Sequence, residues 1–117
     1  MLLLFAENWQ SGTNRFDRPG EMMLGAWHGD QLIGAAGRNV DPYDGNPRAG
    51  RVRHLYVAVD ERRNGVGRQL ILAIVSGAAE WFDYLNTNAP ETAFAFYENH
   101  GFMRHEVEHV THRLVLR

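Results

Sequence analysis

Apolar positions change their spacing along the chain, and each change marks an element. "EMMLGAWHGDQLIGAAGRNV", from Glu21 to Val40, is apolar on both sides of His28-Gly29-Asp30 and predicts a hairpin of two strands. "DPYDGNPRAG" then concentrates Asp, Pro, Gly and Asn, the residues of tight turns. "RVRHLYVAVD" is rich in β-branched and aromatic side chains and predicts a long strand. Beyond it the period lengthens: Leu70, Ala73, Ile74, Gly77, Ala78 and Trp81 share one face of an amphipathic helix. "DYLNTN" is a short strand candidate. Asn88 and Glu91 resemble a capping pair with Pro90 in the first turn, opening a helix through Phe94 and Tyr97 that stops at Gly101. "FMRHEVEHVTHRLVLR" closes the chain as one long strand or a pair.

Ahead of the hairpin, "ENWQSGTNRFDRPG" predicts a short helix or loop. The order is therefore β-β-β-α-β-α-β(β), an α/β chain of the α+β kind: a mixed sheet with two helices packed on it. Two strand-helix-strand passages imply right-handed crossovers and partly parallel pairing.

At 117 residues, this is one domain, residues 1–117, with a chain long enough to bury a real core. A formal charge of −2 gives no general attraction to nucleic acid or to an anionic membrane. The basic groups are local: Arg48, Arg51, Arg53, Arg62, Arg63 and Arg68 crowd one stretch, and the chain has no lysine. With no cysteine there is no disulfide and no thiolate chemistry. "MLLLFA" is apolar over six residues only, too short for a membrane span and without the basic start of a signal peptide. A cytoplasmic location is expected.

The stretch "VAVDERRNGVGRQLI" places Gly65 and Gly67 where a strand turns into a helix, with arginines around them. A helix start offers unpaired N–H groups and the positive end of the helix dipole, and glycine lets a phosphate approach closely. A tight turn with solvated arginines would look the same. A P-loop is excluded because Arg68 and Gln69 follow the second glycine, and a dinucleotide fingerprint needs a third glycine.

Arg62-Arg63-Asn64-Gly65-Val66-Gly67 matches the Arg/Gln-x-x-Gly-x-Gly/Ala signature of the GNAT superfamily of N-acetyltransferases. Downstream, "AFAFYENHGF" resembles that family's Ala-x-x-x-Tyr-Glu-x-x-Gly-Phe segment through Ala93, Tyr97, Glu98, Gly101 and Phe102. The resemblance covers roughly residues 21 to 117 in the family's order. It implies a GNAT-like fold and an acetyl-coenzyme A-dependent N-acetyltransferase, acting on a primary amine of a small molecule or protein by direct attack.

The same resemblance implies site residues. The backbone of Arg62, Arg63, Asn64, Gly65, Val66, Gly67 and Arg68 would cradle the pyrophosphate of acetyl-coenzyme A. Leu55, Tyr56 and Val57 would pair with its pantetheine arm through their main chain, their side chains being core, and Asn88 and Ala93 complete the coenzyme-binding set. Tyr97 would protonate the departing thiolate. An alkyl amine is neutral in roughly one molecule in 2,500 at pH 7, so a base is needed. His54 is the local candidate, although alternation puts it on one face with Val52, Tyr56 and Ala58, a face that can equally be packed. A base acting through water, or an anilinic acceptor needing no strong base, stays open. Asp41, Asp44 and Asp83 can attract a cationic acceptor or simply serve turns and helix ends.

His105, His109 and His112 lack metal-site spacing and are expected to be surface histidines on an edge strand; no metal is expected. The family usually carries a strand and two helices before the hairpin, where only about twenty residues stand here. "MLLLF" can supply a vestigial strand and "NWQSGTNRF" part of a helix. The shortened front raises a second reading, a non-catalytic module of this fold that binds acyl-coenzyme A or a protein partner. It also leads us to expect a homodimer in which the second subunit completes the missing wall. Gel filtration at micromolar concentration should then give twice the chain mass; a monomer would contradict it.

Overall fold

The hairpin read from the sequence is present, and a further strand pairs with it on the outside. The structure is a computed structural model that describes residues 2–6, 16–62 and 64–117. β1 (Leu2–Ala6) lies antiparallel to β2 (Met22–His28), which pairs with β3 (Gln31–Val40). His28 faces Gln31, so the loop is Gly29-Asp30 alone, and Gly29 has the left-handed φ of +61° that so tight a turn demands. β4 (Ala49–Val57) extends the antiparallel set. α1 (Val66–Val75) crosses over, and β5 (Tyr84–Thr87) returns parallel to β4. After α2 (Phe94–Asn99) come β6 (Met103–Val107) and β7 (Val110–Val115), an antiparallel pair.

The seven strands form one mixed sheet in the order β1-β2-β3-β4-β5-β7-β6. The closing segment is thus a pair of strands, turning where His109 takes φ +66°. β7 inserts between β5 and β6, so the second crossover skips one position. Of the stretch predicted as a short helix or loop, residues 7–15 lie outside the described residues, and 16–20 form an irregular turn.

α1 buries Val66, Leu70, Ile71 and Ile74 against the sheet. Gly34 of β3 makes the close approach possible: a Cβ there would stand 3.0 Å from Leu70 Cδ1 and 3.2 Å from Val66 Cγ1. Phe82, Leu85, Tyr97 and Phe102 belong to the same core, with Leu24, Ile33 and Val52 from the sheet.

The helix ends earlier than its periodicity implied. The apolar pattern runs to Trp81, but Gly77 adopts φ +73°, and Ala78–Glu80 tighten into a 3-10 turn. A residue from β3 secures the end: buried Arg38 donates through Nη1 to the carbonyls of Ile74 (2.7 Å) and Ser76 (3.0 Å), and through Nε to that of Gly20 (2.7 Å). Burial draws this guanidinium's pKa below its usual value, and the Glu80 carboxylate offsets part of that. A cation at a helix C-terminus faces the negative end of the helix dipole, which favours the charge.

The start of α2 also differs from expectation. A 3-10 turn over Glu91–Ala93 precedes the helix, and no side chain caps either one, so Asn88 and Glu91 form no capping pair. Gly101, at φ +90°, stands just past the helix end as predicted.

Arg38→Leu should keep the apolar stem but leave three buried or half-buried carbonyls without their donor, a loss of roughly 2–4 kcal/mol. Urea denaturation of both proteins measures it; an unchanged midpoint would show that the cap is dispensable.

Candidate active site

β4 and β5 run together briefly and then part. They pair only at Ala49↔Tyr84, Gly50↔Leu85 and Arg51↔Asn86, while β4 continues to Val57. A bulge helps to turn it away. Ala35 faces Tyr56 and Gly37 faces Arg53, which leaves His54 and Leu55 together opposite Ala36. His54 carries the distortion at φ +53°, a left-handed value that costs a non-glycine residue about 1–2 kcal/mol. Strain of this kind persists where surrounding structure enforces it, and it often marks a working site.

The extra residue also reverses the alternation along β4. His54 is exposed rather than sharing a packed face with Val52, which is buried, and Tyr56 points outward at 52% exposure. The expectation of core side chains holds for half-buried Leu55 and Val57 and fails for Tyr56.

Next to the diverging end of β4 lies a cavity of about 650 Å³. One wall is Leu55, Tyr56 and Val57; a second is Arg62, Gly65, Gly67 and Arg68; a third is Thr92, Ala93, Phe96 and His100. Gly65 caps α1 at φ +79°, and a Cβ there would meet nothing within 4 Å. The first helical bond runs from the Gln69 N–H to the Gly65 carbonyl at 3.0 Å. The N–H groups of Val66, Gly67 and Arg68 therefore lie ahead of the helix ladder, at the positive end of its dipole. Gly67 has a different reason to be glycine: its Cβ would stand 3.3 Å from the Phe96 ring. Arg62 is anchored by donating from Nε to the Val57 carbonyl at 3.2 Å. This donor set suits a pyrophosphate, with open backbone at Gly65, N–H groups ahead of the helix and two lining arginines.

Two residues of the predicted loop stand apart from the cavity. Asn64 donates from its side chain to Glu61 (3.2 Å), and the Val66 side chain is buried, so both could take part through the main chain only. Arg63 lies outside the described residues.

A second cavity, of about 270 Å³, adjoins the first and shares Leu55 and Ala93 with it. It is lined by Val52 and His54 from β4, by Thr87 at the end of β5 and Asn88 to Pro90 beyond it, and by Tyr97. Asn88 therefore sits here, not against the larger cavity. Tyr97 is buried at 4% exposure, and burial raises its pKa above the usual value, opposed in part by the nearby Thr87 side chain. The pKa of His54 is lowered, first by burial and then by the neighbouring charge of Arg53. At neutral pH the first group is a protonated phenol and the second a neutral imidazole.

The aspartates are committed elsewhere. Buried Asp41 accepts from Asn86 Nδ2 (2.9 Å) and Arg51 Nη1 (3.4 Å), Asp44 accepts from the Tyr84 hydroxyl (2.7 Å), and Asp83 pairs with Arg48 (2.8 Å). The three C-terminal histidines do not share a surface. His109 is exposed and stacked on Tyr43, but His112 is fully buried, because β7 is an interior strand and not the edge. Thr92, Phe96 and His100 were missed as lining residues; their i, i+4, i+8 spacing, one face of a helical segment, was the signal for them.

Gly65→Ala has space for its methyl but not the backbone angle, and should lower stability by about 1 kcal/mol; Gly65→Asn should cost less. Chemical denaturation of the two variants checks the order, and equal costs would contradict it.

The fold and both motifs can be set beside known proteins. The acetyltransferase (GNAT) domain family matches residues 4–116. None of the curated proteins matches the chain at a significant level. Among solved structures, a candidate acetyltransferase from Exiguobacterium sp. 255-15 superposes with a TM-score of 0.79 at 34% identity, over 86% of this chain and 66% of that one. This chain thus spans just under two thirds of that protein. A GNAT-family acetyltransferase from Staphylococcus aureus Mu50 superposes at 0.70 with 16% identity, covering 84% of this chain and 69% of that one, and so shares the fold. An IAA acetyltransferase from Bacillus cereus ATCC 14579 does likewise at 0.68 and 15%, covering 91% and 79%. Matched over nearly its whole length, the chain belongs to the GNAT acetyltransferase family.

Proposed function

We propose that the chain transfers the acetyl group of acetyl-coenzyme A directly to a primary amine of a small molecule or protein. The observation that carries this reading is the meeting of two cavities at Leu55 and Ala93. The larger has a phosphate-suited helix start at its rim; the smaller holds one phenol and one imidazole. Bound acetyl-coenzyme A would supply a thioester whose carbonyl carbon takes the amine and whose sulfur leaves.

The chain's own groups then have defined work. The N–H groups of Val66 to Arg68, with Arg62 and Arg68, would hold the pyrophosphate. Beyond Arg51, β4 has no strand partner on its β5 side among the described residues, so its backbone near Leu55 to Val57 can bond an extended arm. Tyr97 would deliver its hydroxyl proton to the departing sulfur. A thiolate is a weak base and needs only a weak acid beside it, and Tyr97, with its pKa raised by burial, stays protonated until needed. His54, neutral at pH 7, would accept the proton that the attacking amine releases. Its exposure lets that proton pass on to water.

Calorimetric titration with acetyl-coenzyme A tests the binding half. The wild type should bind with micromolar affinity, and Gly65→Asp, which puts a carboxylate into the cradle, should lose it. The chemical half can be followed by thiol release, because the chain has no cysteine to react with the reagent. With an accepting amine, Tyr97→Phe should lower kcat about 10²-fold or more and leave coenzyme affinity in place. Absence of binding to the wild type would overturn the reading and favour a module of this fold that works through protein contacts.

A further inference from the structure

The transfer chemistry leaves unused the most deeply buried titratable side chain of the site region, that of His112. Its ring lies beside Tyr97, with centroids 6.4 Å apart at 27°, and Phe94 meets it edge-on at 4.8 Å. Both ring nitrogens are engaged. Nε2 is 2.7 Å from Glu98 Oε2, and Nδ1 is 2.9 Å from Thr111 Oγ1. A carboxylate only accepts, so Nε2 carries a proton and donates it to Glu98. Glu98, itself 44% exposed, is also flanked by Arg104 at 3.8 Å.

On the other side of the ring, the Thr111 oxygen accepts the Ala89 N–H at 3.0 Å and lies 3.3 Å from the Thr87 carbonyl. Thr87 stands opposite His112 in the β5–β7 pairing and lines the smaller cavity together with Tyr97. A chain of hydrogen bonds therefore runs from α2 through the core to residues 87–89. That segment forms one wall of the smaller cavity, which Tyr97 also lines. A phenylalanine at position 112 would pack as well but hold neither end.

We propose that His112 is a positioning residue: held by Glu98, it fixes Thr111 and the 87–89 wall, and so sets where the Tyr97 hydroxyl points. As a contribution to catalysis this rests on Tyr97 being the proton donor; as a statement about geometry it does not.

Four variants separate hydrogen bonding from packing. In His112→Asn the amide reaches the Nδ1 position and keeps the contact to Thr111. In His112→Gln it reaches the Nε2 position and keeps only Glu98. Thr111→Val removes the relay itself, and Glu98→Gln alters the outer end at a half-exposed position where folding is safe. The readout is the 13Cζ resonance of Tyr97 in tyrosine-labelled protein, assigned by its loss in Tyr97→Phe, which reports the hydroxyl's hydrogen bond without any ligand. The resonance should shift in Thr111→Val and His112→Gln, shift the same way in Glu98→Gln, and stay near its wild-type position in His112→Asn. Acetyl-coenzyme A affinity should be unchanged in all four. An unmoved resonance in Glu98→Gln and Thr111→Val, or equal shifts in both His112 variants, would overturn the proposal. Failure of the wild type to bind acetyl-coenzyme A would instead refute acetyl transfer, and the Tyr97 resonance would still decide the positioning.

Discussion

Everything at the site depends on how far β4 and β5 stay together. Three residue pairs join them, and beyond Arg51↔Asn86 the strands separate. The joined end is held hard. Gly50 offers no side chain, so Phe82 and Leu85 pack where its Cβ would stand, 2.8 and 2.6 Å away. Just beyond, Asp41 draws Arg51 and Asn86 together, and Arg113 donates to Asn86 Oδ1 at 2.8 Å while lying over the Tyr84 ring. A buried ionic cluster of this sort adds little net stability against an apolar alternative, but it has one satisfied arrangement. With that end pinned and the bulge at His54 bending the other, a gap must open between Leu55 and the 87–89 segment. The two cavities occupy that gap and its rim.

The glycine loop depends on the same opening. α1 starts where β4 has already left β5, so Gly65, Gly67 and Arg68 at its N-terminus line the larger cavity. Phe96 of α2 closes against Gly67, which brings the second helix up to the loop and Tyr97 to the inner cavity. Elements far apart in sequence thus converge without any one of them needing unusual local structure apart from His54.

Local patterns in the sequence carried the strands, the hairpin turn at Gly29 and the helix stop at Gly101, because each depends on neighbouring residues. The glycine loop and the tyrosine-bearing segment were legible as motifs, and they gave Arg62, Gly65, Gly67, Arg68, Ala93 and Tyr97 of the cavity linings but not Thr92, Phe96 or His100. What escaped was set at a distance. One additional residue in β4 inverted the facing of His54 and Tyr56, and a bulge leaves no mark in apolar alternation. The end of α1 was decided by Gly77 and by Arg38, which lies one strand and a crossover away. His112 looked like an edge residue because nothing local says that β7 threads between β5 and β6; that order makes its inward face part of the core.

The opened end of β4 and the start of α1 would together form the coenzyme site. Amide chemical-shift mapping during titration with acetyl-coenzyme A tests it most directly. Large shifts are expected at Leu55, Tyr56, Val57 and from Gly65 to Arg68, with β2 and β6 unaffected. Shifts confined to other strands, or none at saturating coenzyme, would contradict it.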